Sequence, residues 1–161
     1  MSLWVADTSP LIFLAKLDRL DLLRRGADEI LVPQAVMQEI QEYQDEARQK
    51  IEEAMGLWLT VTPVRNRQVV GVLLADLDLG EAETIALALE AQAEHVVMDD
   101  LDGRRFAGRV GLTAVGTLGL LLAARLKGEL PSLRAEIERL EREGFRVGEP
   151  LRKAVLEAAG E

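Results

Sequence analysis

Five short apolar runs, at residues 3–6, 30–32, 57–61, 96–98 and 112–114, alternate with longer stretches of helical periodicity. Runs this short read as buried strands. Between the first two, Leu11, Leu14, Leu17, Leu20 and Leu23 recur at helical spacing, and Pro33 suits the first turn of a helix carrying Val36 and Ile40 on its buried side. Further helices are expected at about 45–55, 69–74, 80–93, 103–108, 115–127 and 133–143. Parallel neighbours need crossover connections, which are usually helical, so this order predicts a mostly parallel sheet of about five strands inside a three-layer α/β/α fold. At 161 residues the chain has the length of one domain, read as a core over 1–143 with a C-terminal helical extension over 144–161. Such sheets bind ligands at the carboxyl ends of their strands, which makes the residues just after each strand the ones to inspect.

The composition removes several chemistries. There is no cysteine, which excludes disulfides and thiolate metal sites, and with no signal-peptide pattern favours a cytoplasmic protein. The single histidine, His95, precedes a strand and leaves no histidine-based zinc site. Neither a Gly-x-Ser-x-Gly elbow nor a phosphate loop is present. The longest apolar run, 110–124, is bracketed by Arg109 and Arg125 and falls short of the roughly 20 residues that span a membrane, so no membrane association is expected. A formal charge of -9 argues against broad binding to nucleic acid through Lys and Arg. Divalent cations can reverse that balance locally where acids are gathered at one place.

Acids do fall at the expected places. Asp7 directly follows the first strand, with Thr8 and Ser9 standing closer to Pro10 as alternative helix caps. Asp99 and Asp100 follow the fourth strand, with Asp102 a candidate cap for the next helix. Two full charges ~4 Å apart cost about 4 kcal/mol at an effective dielectric near ~20, so such a cluster needs a cation or the following Arg104 and Arg105. Glu39 lies three residues after Val36, at the border of the packed face of its helix. Glu81 opens the Ala-rich helix on the face of Ile85 and Ala88, whereas Glu83 shares a face with Leu87 and Glu90.

Taken in order, Asp7-Thr8-Ser9, Glu39, Gly80-Glu81-Ala82-Glu83 and Val97-Met98-Asp99-Asp100 followed by Gly103-Arg104-Arg105-Phe106-Ala107 resemble the PIN-domain superfamily. The likeness is to its prokaryotic branch related to VapC-type toxins, and the segment Gly111-Leu112-Thr113-Ala114-Val115-Gly116-Thr117-Leu118-Gly119 resembles that branch too. The resemblance implies hydrolysis of RNA phosphodiesters with Mg2+ or Mn2+. It implies Asp7, Glu39, Glu81 and Asp99 or Asp100 as catalytic positions, with Asp7, Glu39, Glu81 and Asp100 as metal ligands. Met98 stands where VapC-type chains commonly have Thr or Ser, which leaves Asp99 and Asp100 both open, and the spacing to Ile85-Ala86 leaves Glu83 beside Glu81. An antitoxin partner and a homodimer are further implications. The homodimer expectation also rests on Leu11, Leu14, Leu17, Leu20, Leu22 and Leu23, more apolar surface than one helix face buries. The alternative reading is a noncatalytic PIN-like nucleic-acid-binding or regulatory protein. Receiver-like and haloacid-dehalogenase-type phosphoacceptors are disfavoured, because Asp7-Thr8-Ser9 carries a single acid.

Overall fold

The computed structural model describes residues 2–161. The elements are β1 (Leu3–Ala6), α1 (Thr8–Lys16), α2 (Asp21–Gly26), β2 (Glu29–Pro33), α3 (Gln34–Gln41), α4 (Glu46–Ala54), β3 (Leu59–Thr62) and α5 (Arg67–Leu73). They continue as α6 (Leu79–Ala91), β4 (His95–Val97), α7 (Leu101–Arg109), β5 (Thr113–Val115), α8 (Thr117–Leu126), α9 (Leu133–Arg142) and α10 (Glu149–Ala158). All five strands pair in parallel, in the order β3-β2-β1-β4-β5.

The two-residue period of the strands divides the apolar residues between two cores. Trp4, Ala6, Ile30, Val32 and Val97 face one layer, which includes α1, α2, α4, α8, α9 and α10. Val5, Leu31, Val96 and Met98 face the other, where α5, α6 and α7 contribute Val70, Leu73, Ile85, Leu87 and Ala107. The result is the three-layer α/β/α arrangement. Leu156 and Ala159 bring α10 into the first core. Among the described residues no helix is long and apolar enough to cross a membrane.

The leucine-rich region is two helices rather than one. Leu17 ends α1 and Asp18 takes a left-handed conformation, φ 59°, with the Asp18 N–H donating to the Ala15 carbonyl and the Arg19 N–H to that of Leu14. This is a Schellman cap, and it turns α2 back onto the core. Leu11, Leu14, Leu17, Leu20, Leu22 and Leu23 are thereby all buried within the single chain, so these leucines are not left over for a partner as their number suggested. The third strand begins at Leu59 rather than at 57, because Gly56, at φ 79°, turns the chain and leaves Leu57 80% exposed.

From β1 the chain moves outward through β2 to the β3 edge, then crosses to the other side of β1 for β4 and β5. The carboxyl ends of β1 and β4 are therefore the point where strand order reverses, and a crevice opens there in sheets of this type. The Asp7 N–H donates to the Val97 carbonyl at 2.9 Å, so the two strands stay paired up to the first acid. His95 starts β4 beside Trp4, at the opposite end of the sheet.

Candidate active site

A cleft of about 370 Å3 at this reversal point is lined by Asp7, Glu39, Asp78, Glu81 and Asp100, together with Thr8, Ser9, Ile12, Phe13, Lys16, Tyr43 and Glu143. Residues from five separate regions thus meet. Each acid arrives by a local device. Asp7 is the N-cap of α1, its Oδ1 accepting from the Thr8 N–H at 2.9 Å. Thr8 and Ser9, the caps anticipated from sequence, do other work: the Thr8 hydroxyl donates to Glu39 Oε2 at 2.9 Å and the Ser9 hydroxyl to Asp99 Oδ2 at 3.0 Å. Asp100, not Asp102, caps α7, its Oδ2 accepting from the Gly103 N–H at 2.8 Å.

Glu81 and Asp78 form a capping box at the start of α6, each side chain accepting from the other's backbone N–H. Asp78 was not among the residues read from sequence, although Asp78-x-x-Glu81 is the local signature of that box. One pattern unites five of the six acids that line the cleft, Glu143 being paired with Lys16 instead. In Asp7, Glu39, Asp78, Glu81 and Asp100, one carboxylate oxygen accepts a hydrogen bond from a neighbour and the other accepts none among the described residues.

Asp99 differs. Its Oδ1 accepts from the Thr117 N–H at 2.7 Å, and its Oδ2 from the hydroxyls of Thr117 at 2.7 Å and Ser9 at 3.0 Å. It is not among the cleft-lining residues, and it caps α8, whose own N-cap position is Gly116. The structure accordingly separates the pair: Asp100 lines the cleft and Asp99 ties α1 to α8 behind it. Glu83 is also turned away. It is 4% exposed, accepts from the Ala35 N–H at 3.0 Å and pairs with Arg67 at 2.9 Å, which anchors the start of α3.

Removal of either glutamate separates these roles. Glu83→Ala leaves the Ala35 N–H without its acceptor and should lower stability by about 2 kcal/mol, with any Mn2+-induced rise in melting temperature retained. Glu81→Gln should do the reverse. Thermal melts with and without Mn2+ read both, and a Glu83→Ala variant that loses the Mn2+ response would favour Glu83 over Glu81 as the candidate ligand.

The electrostatics of the cleft are those of uncompensated acids. Burial, with the charges of Glu39, Asp78 and Asp99 adding to it, pushes Asp7 from its ordinary 3.8 up to about 7, against the lowering effect of the Thr8 N–H. Burial likewise raises Glu81 to about 7, helped by Asp78, Asp100 and Asp7. Glu39 is also raised, again chiefly by burial. Among the described residues none of Asp7, Glu39, Asp78, Glu81, Asp99 and Asp100 forms an ion pair. Lys16, the cleft's one cation, pairs with Glu143 at 3.8 Å. Arg104 lies against Gly116 beside Asp99, while Arg105 lines a separate cavity of about 260 Å3 with Asp102 and Arg109.

No three of these side chains are drawn close enough, among the described residues, to enclose an ion by themselves. That spacing suits a small hard cation that keeps several waters and takes only one or two carboxylates directly, as Mg2+ does, with Mn2+ served by the same oxygen donors. The donor set is all oxygen, and it contains no sulfur or imidazole to select a softer metal.

The DUF3368 family model, described as a PIN domain, matches residues 3–161. No curated protein matches the chain. The matched span takes in all five strands of the parallel sheet and α10. The chain belongs to the PIN-domain superfamily and carries its nuclease-type fold.

Proposed function

We propose that this protein is a Mg2+- or Mn2+-dependent endoribonuclease acting at the cleft of Asp7, Glu39, Glu81 and Asp100. The observation that carries the reading is the five half-anchored carboxylates: each is held in orientation through one oxygen while the second is uncommitted. Preorganised acids with no cation beside them destabilise a fold and are retained for what they bind. Asp7 and Asp100 are assigned as primary ligands, and Glu39 and Glu81 as groups that hold the ion or its waters.

A bound Mg2+ or Mn2+ supplies Lewis-acid activation at phosphorus and neutralises the phosphodiester that the acids would otherwise repel. The chain's own residues do the rest. Thr8, through its hydroxyl, fixes the Glu39 carboxylate, and its N–H fixes that of Asp7. Asp7 and Glu81, both raised to about 7 chiefly by burial in the metal-free chain, give up their protons near neutrality and so become available to hold the ion. Ser9 and Thr117 lock Asp99, and so hold α1 and α8 in register behind the site.

Purified protein incubated with a mixed RNA pool should cleave it in Mn2+ or Mg2+ and not in excess chelator. Asp7→Asn should reduce the rate at least roughly 100-fold. Metal-independent cleavage, or full activity in Asp7→Asn, would reject the proposal. The VapC-type resemblance extends the reading to a toxin with an antitoxin partner and a homodimeric state, in a cytoplasmic setting. Light scattering that gives a mass near the 17.8 kDa of one chain would reject the homodimer.

A further inference from the structure

The lining of the cleft is not acidic throughout. Ile12, Phe13 and Tyr43 supply apolar surface there, and Lys16 stands over the Phe13 ring at 5.8 Å. Phe13 is braced from behind by an edge-on contact with Phe145, ring centroids 5.0 Å apart. Tyr43, in the loop after α3, is 39% exposed, and it alone of the chain's six aromatic side chains is exposed. Its phenol oxygen has no hydrogen-bond partner among the described residues and the ring is open to solvent at the cleft.

The charge of the molecule makes this ring consequential. With a net charge of -9 and one side-chain cation in the cleft, the chain's own Lys and Arg supply little of the affinity for a polyanion. Stacking of a base on an aromatic face does not depend on charge. Asp7 is only 7% exposed, so a phosphodiester that meets it enters the cleft, which an unpaired nucleotide does more readily than one held in a helical stack.

Resting on the ribonuclease reading of the same cleft, we propose that Tyr43 is a nucleobase-stacking residue: with Ile12 and Phe13 behind it, it receives one unpaired base and so sets which phosphodiester lies over the acids. Lys16 then faces the phosphate of the stacked nucleotide. Tyr43 is a binding and positioning residue, and its removal is felt in substrate capture rather than in the chemical step.

The test uses the full chain and a short single-stranded oligoribonucleotide carrying 2-aminopurine, whose fluorescence is quenched by stacking. In an Asp7→Asn background, which prevents cleavage, binding should quench the probe. The quenching should vanish in Tyr43→Leu and persist in Tyr43→Phe, which keeps the ring. In the active protein Tyr43→Leu should raise KM roughly tenfold with kcat little changed, and Tyr43→Phe should restore it. Because Tyr43 is exposed, its melting temperature should stay close to that of the parent. Mn2+-dependent cleavage with the same KM and quenching in Tyr43→Leu would overturn the stacking site and leave the ribonuclease reading standing. Tyr43-dependent quenching in a protein that cuts no RNA would support the stacking site and overturn the ribonuclease reading. Absence of any binding to the probe would overturn the stacking proposal.

Discussion

Asp7→Asn is expected to make the metal-free protein more stable at about pH 8, by about 3 kcal/mol or roughly 8 °C in melting temperature, while abolishing its response to Mn2+. Asp7 is raised from 3.8 to about 7, first by burial and then by the neighbouring acids. Between those two values the folded chain holds a proton that the unfolded chain has released. Stability therefore falls as pH rises through this window, and above it the ionised Asp7 costs about 4 kcal/mol. Asparagine removes that charge and keeps an oxygen for the Thr8 N–H. The gain should accordingly shrink as pH is lowered and be nearly gone near pH 4, where the unfolded aspartate is protonated too. Mn2+ acts in the opposite sense. The carboxylates must lose their protons to bind it, so the Mn2+-induced stabilisation of the parent protein should grow as pH passes about 7 and be absent in Asp7→Asn. Thermal melts of both proteins across this pH range, with Mn2+ and with chelator, measure every part of the expectation. A variant less stable than the parent at pH 8, or equally shifted by Mn2+, would remove Asp7 from the site.

How far the site could be read from sequence depends on how local each cause is. Asp7 follows the four-residue strand β1 and Asp100 comes just after the three-residue strand β4, and in a parallel sheet that position alone puts them at the ligand edge. Glu39 and Glu81 sit on helix faces set by Val36 and Ile85, which spacing reveals. The choice between Asp99 and Asp100 was not legible. Both follow β4, and what turns Asp99 away is a set of donors 18 and 90 residues distant, Thr117 and Ser9. Glu83 was left open beside Glu81 for the same reason, because Ala35 and Arg67 reach it across the packed layer. The leucines misled in the other direction. Their spacing continues through residues 17–20, and the left-handed Asp18 that breaks the helix has no glycine to announce it.

Gly80→Ala should separate the site from the fold. Gly80 is the second residue of α6, its φ is not positive, and alanine at that place in a helix costs nothing and gains up to about 1 kcal/mol. The obstacle is Glu39. A Cβ on residue 80 would lie 2.3 Å from Glu39 Oε1 and 3.2 Å from its carboxyl carbon, closer than atoms approach. The clash falls on the mobile end of a side chain, so Glu39 can swing aside at the loss of its bond to the Thr8 hydroxyl, worth about 1 kcal/mol. The two effects offset, and the melting temperature should stay within a few degrees of the parent. The carboxylate, however, is displaced by about an ångström or more, and misplacement of that size at a reacting centre lowers rates on the order of 100-fold. Gly71→Ala is the matched control: it lies within α5, a Cβ there meets nothing within 4 Å, and activity should be unchanged. Rates of Mn2+-dependent RNA cleavage for the two variants, beside their melting curves, decide the matter. If Gly80→Ala folds and cuts as well as Gly71→Ala, Glu39 has no part in the reaction, and the empty space at residue 80 serves packing alone.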